Sequence, residues 1–306
     1  VTHGGTFYLE ANIVSCKPPK PALSLAAQVE LLKSRGLIVN DTTKAIKILS
    51  AVNYYRLSAY SLGLRKDDIF FEGTTFEQIY QLYEFDTKLR HVLVSAIEII
   101  EIKFRTKIAY YLAMEHDPMS YLDTSLFKDK IRHETFVAEF EREKERQKGT
   151  AFVKHYIDLY NGEMPIWVAV EICSFGMISR LFSNLKTKYQ KRFVRDYLSQ
   201  PQGFNNYLIS WLRCLVDVRN ICAHYGRIYN RILSSTPKMP YQYRDMGLAL
   251  RRIFPLLIVM ILLFEDFDTS TSFITNIATL IEEYPAVNLS FIGFPDDWET
   301  ILRNAR

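Results

Sequence analysis

From Phe76 to Glu115 the chain runs FEQIYQLYEFDTKLRHVLVSAIEIIEIKFRTKIAYYLAME, forty residues without a glycine or a proline. Apolar side chains recur there at steps of three and four, the period at which an α-helix gathers one face. Such a run forms one long helix, or two joined by a kink, and its apolar stripe needs other helices to cover it. The rest of the chain offers them: strand-like alternation is nearly absent, and no internal repeat or low-complexity segment interrupts the pattern. The expected fold class is all-α.

The segment KPPKP at Lys17 to Pro21 cannot be helical, because proline lacks the amide donor and restricts its predecessor. Residues 1–23 are therefore expected to form a tail. Ser24 can cap a helix over LAAQVELLKSRG, stopped by Gly36, and Asp41 can cap a second over TTKAIKILSAV, giving an N-terminal helical hairpin. A short helical stretch, NYYRLSAYSLGLR, leads into a polar turn around Asp67, Asp68 and Gly73. The stretch from Lys128 to Lys148 carries both signs densely, which favours a solvated helix over an RNA-binding arm, and Gly162 and Pro165 end it. MPIWVAVEICSFGMISRLFSNL reads as one helix in which Gly176 marks close packing or a kink. KTKYQKRFVRDYL follows, and then SWLRCLVDVRNICAHYGRIYNRIL as a helix from Ser210 to Leu233. The organisation expected is a helical subdomain at 24–72, a main bundle at 73–268 with a charged helical insertion at about 116–160, and a C-terminal helical extension at 269–306.

Composition sets outer limits. With 48% hydrophobic and 14% aromatic residues, 306 residues can bury a large core. Thirty-eight lysines and arginines against 34 acids leave a net charge of only +4, so any basic footprint is local. Cys16, Cys173, Cys214 and Cys222 form neither a CxxC pair nor a dense framework, the usage of reduced thiols in a cytoplasm. The opening VTHGGTFYLE has no basic stretch followed by an apolar run, so no secretory signal is expected. The apolar run IFPLLIVMILLF, at Ile253 to Phe264, falls short of the roughly 20 residues that span a bilayer. It reads as a buried core helix, and no membrane partner is expected.

Chemistry concentrates on the helix from Ser210. At about 100° per residue, Arg213, Asp217, Asn220, His224, Arg227 and Arg231 fall on one stripe, with Arg219 close enough to swing towards it. Arginine offers phosphate a permanent fork of donors, histidine titrates near neutrality and serves as acid or base, and Asn220 stands one turn before His224. Cleavage of RNA by attack of the ribose 2′-hydroxyl on its own phosphorus needs those roles and no metal. The plain reading is that a polar stripe is the solvated face of an amphipathic helix. The chain has no HExxH, GxSxG, P-loop or GxGxxG motif, and His91, His116, His133 and His155 lack partners at metal-ligand spacing. No metal and no cofactor is expected.

The string RNICAH, Arg219 to His224, fits the R-N-x-x-x-H motif of the HEPN superfamily, and SWLRCLVDVRNICAHYGRIYNR resembles the motif block of the bacterial abortive-infection Abi family of the AbiD and AbiF type. NYYRLSAY, YEFDTKLRHVLVSAIEIIEIKFRTKIAYYLA and MPIWVAVEICSFGMISRLF are similar to that family in kind and order, so the resemblance covers roughly residues 22 to 265. It implies an all-α HEPN-like bundle and a metal-independent endoribonuclease acting as a toxin-like effector in phage defence. By position, Arg219, Asn220 and His224 are its catalytic residues. Arg213, Arg227 and Arg231 would hold RNA, and Glu101 and Arg105, one turn apart, would support the site through an ion pair or form a purely structural one. Tyr225 stands where many relatives have a second histidine. Because the chain carries a single motif, the resemblance implies a homodimer with a composite site; it leaves open a small regulatory RNA as partner, and a noncatalytic RNA-binding module as the alternative.

Overall fold

The computed structural model describes residues 21–201 and 203–305. The expected tail, apart from its last three residues, and Cys16 lie outside the described residues. The chain divides into two compact units, residues 1–77 and 78–306.

In the first unit, local signals set the elements. Ser24 caps α1 (Leu25–Ser34), its hydroxyl accepting the Ala27 amide at 3.2 Å, and Asp41 caps α2 (Thr42–Ala51) by accepting the Lys44 amide at 2.8 Å. The two helices pack on each other, burying Val29, Leu32, Ala45 and Leu49. Asn53 caps the short α3 (Tyr54–Ser58) through the Tyr55 amide. The expected polar turn is the tip of a hairpin of β1 (Arg65–Lys66) and β2 (Ile69–Phe70), antiparallel, with Arg65 opposite Phe70. Asp67 and Asp68 both have positive φ, as a two-residue hairpin loop requires.

The second unit is organised on α4 (Phe76–Glu115). It is one unbroken helix of 40 residues, about 60 Å at 1.5 Å per residue. Its buried stripe runs through Ile79, Leu82, Phe85, Leu89, Leu93, Ile97, Ile100, Phe104 and Ile108. The charged stretch divides: α5 (Lys130–Arg146) stops before Gly149, and Thr150 begins a separate α6 (Ala151–Tyr160), which ends at Asn161 in the left-handed region, ahead of Gly162. On α5 the charges pair along the exposed face, Lys144 with Glu141 and Arg146 with Glu143, while Phe136 and Phe140 are buried.

The next helix is also two. α7 (Ile166–Ile172) ends at Cys173, and Ser174 caps α8 (Phe175–Asn184) by accepting the Met177 amide. The break therefore precedes Gly176: a capping serine with an extended backbone ends one helix and starts the other. α9 (Thr187–Leu198) and α10 (Phe204–Ala223) follow, and α10 packs against α8, α9 and α11 (Phe254–Leu263). In α11 every side chain from Phe254 to Ile261 is buried, as expected of a core helix. Among the described residues no helix is long and apolar enough to cross a membrane. The C-terminal stretch supplies α12 (Phe267–Glu283) and α13 (Trp298–Arg303), with α13 packed on both α11 and α12.

Candidate active site at the end of α10

The helix carrying RNICAH is shorter than its spacing implies. It ends at Ala223 rather than running to Leu233, and His224 is its C-cap. Beyond it the Tyr225 amide bonds the Cys222 carbonyl at 3.0 Å and the Gly226 amide bonds the Ile221 carbonyl at 2.7 Å, the paired bonds of a Schellman stop. Tyr225 takes the left-handed position, φ +56°, usually given to glycine. Glycine comes one residue later for a steric reason: a Cβ at Gly226 would stand 2.9 Å from Ile221 Cγ2 and 3.0 Å from its carbonyl oxygen. Arg227 and Arg231 therefore do not continue the helical stripe. They lie on the irregular segment after the turn, where Arg231 is exposed.

That segment is held by a residue that the helical stripe of α10 does not point to. Asp86, on α4, is fully buried, and one carboxylate oxygen accepts the amides of Ile228 at 2.9 Å and Tyr229 at 2.6 Å. Its other oxygen pairs with Arg90, one helical turn on and itself buried. The signal for it lies in YEFDTKLR: Asp86 and Arg90 occupy the apolar stripe of α4, where an isolated charge is costly and a charge is kept only with partners.

A second acid–arginine pair on α4 reaches the motif itself. Glu101 accepts from Arg105 at 3.2 Å (Nε) and 2.5 Å (Nη2), so the expected ion pair is formed. The Arg105 Nη1 donates to the carbonyls of Val170 and, at 2.7 Å, Cys173, acceptors freed where α7 ends. The remaining Glu101 oxygen lies 3.7 Å from Arg219 Nε. Arg219 is thus tethered at its Nε side while 42% of its side chain stays open to solvent. Asn220 and His224 are exposed beside it at the helix end. Among the described residues no hydrogen bond joins the Asn220 and His224 side chains. Arg213 is exposed two turns earlier on the same helix, about 10 Å along the axis from Asn220.

The motif's thiol takes no part in such chemistry. Burial pushes Cys222 up to about 12, so it stays protonated and faces the core. Cys173 is pushed up to about 12 in the same way. Among the described residues no group of three or more histidines, cysteines, aspartates or glutamates could hold a metal ion. The groups open to a ligand at this end of α10 are a guanidinium, a carboxamide and an imidazole, a set suited to a phosphodiester.

The model of the Abi-like protein family matches residues 47–230, well over half of the chain. The chain belongs to the Abi-like protein family. The match takes in α4 with both acid–arginine pairs, α7, α8, α10 and the segment after it as far as Asn230, so Arg219, Asn220, His224 and their partners lie inside the Abi-like region and Arg231 falls just beyond it. No curated protein and no solved structure matches the chain.

Proposed function

We propose that this Abi-like protein is a metal-independent HEPN endoribonuclease. Membership of the family supports a role in abortive infection, the response in which a phage-infected cell is stopped, and a toxin that cleaves RNA fits that role. The observation that carries the reading is the exposed cluster at the end of α10: a tethered arginine with an asparagine and a histidine beside it. Arg219 stabilises the charge that develops on the phosphoryl oxygens, and His224 moves a proton to or from the reacting oxygens. Asn220 binds the phosphodiester or the neighbouring sugar. Arg213, Arg227 and Arg231 hold flanking phosphates.

Transesterification needs a proton acceptor and a proton donor, and the motif supplies one histidine per chain. A homodimer placing two motifs together provides both, which supports the composite site. The runner-up is an RNA-binding module without cleavage, favoured by the exposed Lys186, Lys188 and Lys191 of the α9 region.

The deciding experiment incubates wild-type protein, His224→Ala and Arg219→Ala with end-labelled RNA in EDTA and analyses the new ends. Wild type leaves 2′,3′-cyclic phosphate, and His224→Ala is slower by on the order of a hundredfold or more. RNA retained uncut by all three proteins transfers the assignment to the binding module.

A further inference from the structure

A groove of about 710 Å³ lies beside the first turns of α10. Two cations line it, Lys238 and Arg244, with Asn206, Tyr207 and Tyr243, and no carboxylate does. Among the described residues neither cation stands in an ion pair. Arg244 makes only long bonds, to the Met239 carbonyl at 3.4 Å and the Tyr207 hydroxyl at 3.3 Å. Lys238 is fixed through its backbone: its amide donates to Ser210 Oγ at 2.9 Å and its carbonyl accepts Trp211 Nε1 at 2.7 Å, leaving the side chain exposed. Tyr243 is 4% exposed, and its buried hydroxyl has no hydrogen bond of normal geometry. Tyr241, at the start of the same turn, is 77% exposed. Cations without counter-charges, next to tyrosines, are the features that bind an unpaired nucleic-acid strand through its phosphates and bases.

The groove is in line with the candidate site. Asn206, Ser210, Arg213 and Asn220 are spaced by four, three and seven residues, one stripe of α10. Asp217 shares that stripe, and its carboxylate is occupied by the hydroxyls of Ser235, at 2.5 Å, and Ser234, at 3.3 Å. From Asn206 to Asn220 is about 21 Å along the axis, on the order of six stacked nucleotides at 3.4 Å each. We propose that this groove receives a distal stretch of the single-stranded RNA whose scissile phosphate lies at Arg219 and His224. Arg213 bridges the two. The proposal rests on the nuclease reading of the site, and it makes the enzyme prefer long strands over short ones.

The test is the variant Lys238→Ala/Arg244→Ala. Its binding to a fluorescent unstructured oligoribonucleotide of a dozen or more residues is titrated across a salt series in a His224→Ala background. Its cleavage of that oligonucleotide and of a dinucleotide is followed with the native motif. Loss of two phosphate contacts lowers the slope of log K against log salt by roughly 1.4, at about 0.7 per contact for single strands. Affinity for the long strand falls on the order of tenfold, and dinucleotide cleavage is unchanged. An unchanged slope, or equal loss on long and short substrates, overturns the groove. Should the native chain cleave nothing while the slope still falls, the groove stands and the nuclease reading falls; cleavage with an unchanged slope keeps the nuclease reading and removes the groove. If the double variant fails to fold, Lys238→Ala alone, at an exposed side chain, carries half the slope change and decides in the same way.

Discussion

Two acid–arginine pairs sit on the same helix at the same spacing, and they do different things. Asp86–Arg90 lies within the core, while Glu101–Arg105 lies at its edge, each side chain of the latter about one-eighth exposed. The difference comes from what each carboxylate's second oxygen faces. For Asp86 it is two backbone amides of the segment after α10, so the pair clamps the chain where the motif helix stops. For Glu101 it is the Arg219 guanidinium, so the pair holds a side chain of the motif and leaves the backbone alone. The i,i+4 spacing alone distinguishes neither role. Burial and the third partner do.

The largest expected effect comes from Asp86→Ala. It leaves Arg90 buried without its counter-charge and removes the acceptor of the Ile228 and Tyr229 amides, a loss of about 3–5 kcal/mol in unfolding free energy. Urea denaturation measures it as a lowered midpoint. Glu101→Ala costs less, about 1–2 kcal/mol, because Arg105 keeps the Val170 and Cys173 carbonyls and part of its surface reaches water. Equal losses at the two positions would break the contrast between clamp and tether.

Activity sharpens the contrast from the other side. Glu101→Gln keeps the shape of the side chain and weakens its hold on Arg219. RNA cleavage is expected to fall by on the order of tenfold to a hundredfold, the scale of a misplaced charge-stabilising group, with a stability change of about 1 kcal/mol. A cleavage rate equal to wild type would reduce Glu101 to a structural partner of Arg105.

How far these features can be read from the sequence follows their range. Ser24 and Asp41 cap helices through amides three residues away, and forty residues of unbroken periodicity make α4; both signals are local, and both are legible. The end of α10 is not, because a helical stripe extended past Ala223 looks as regular as one that stops. Gly226 is the local hint; the anchoring acid stands 142 residues earlier. Of the two readings of Gly176, close packing or a kink, the kink does not fall at the glycine: the chain breaks between α7 and α8 at Ser174, because the hydrogen bond of a capping hydroxyl decides the break and the flexibility of glycine does not. At the candidate site, Arg219, Asn220 and His224 are legible through the R-N-x-x-x-H motif, since helical spacing alone reads equally as a solvated face, and the Glu101–Arg105 pair follows from the same resemblance. Contact between Glu101 and Arg219 is tertiary, and no periodicity within one helix can disclose it.

The smallest expected effect concerns the turn that both pairs leave between them. Tyr225 holds a left-handed backbone at φ +56°, a conformation costing an L-residue about 1–2 kcal/mol. Glycine removes that cost and adds about 0.5–1 kcal/mol of chain entropy to the unfolded state, so Tyr225→Gly should stabilise the protein by roughly 0.5–1 kcal/mol. A thermal melt reads this as a small rise in Tm. With the Asp86 clamp and the Schellman bonds intact, His224 stays where it is, and cleavage should match wild type if the turn is only a stop. A stabilised variant that cleaves poorly would show instead that the exposed tyrosine ring acts at the site, and that the strain at this position is retained because the residue beside His224 must carry a side chain.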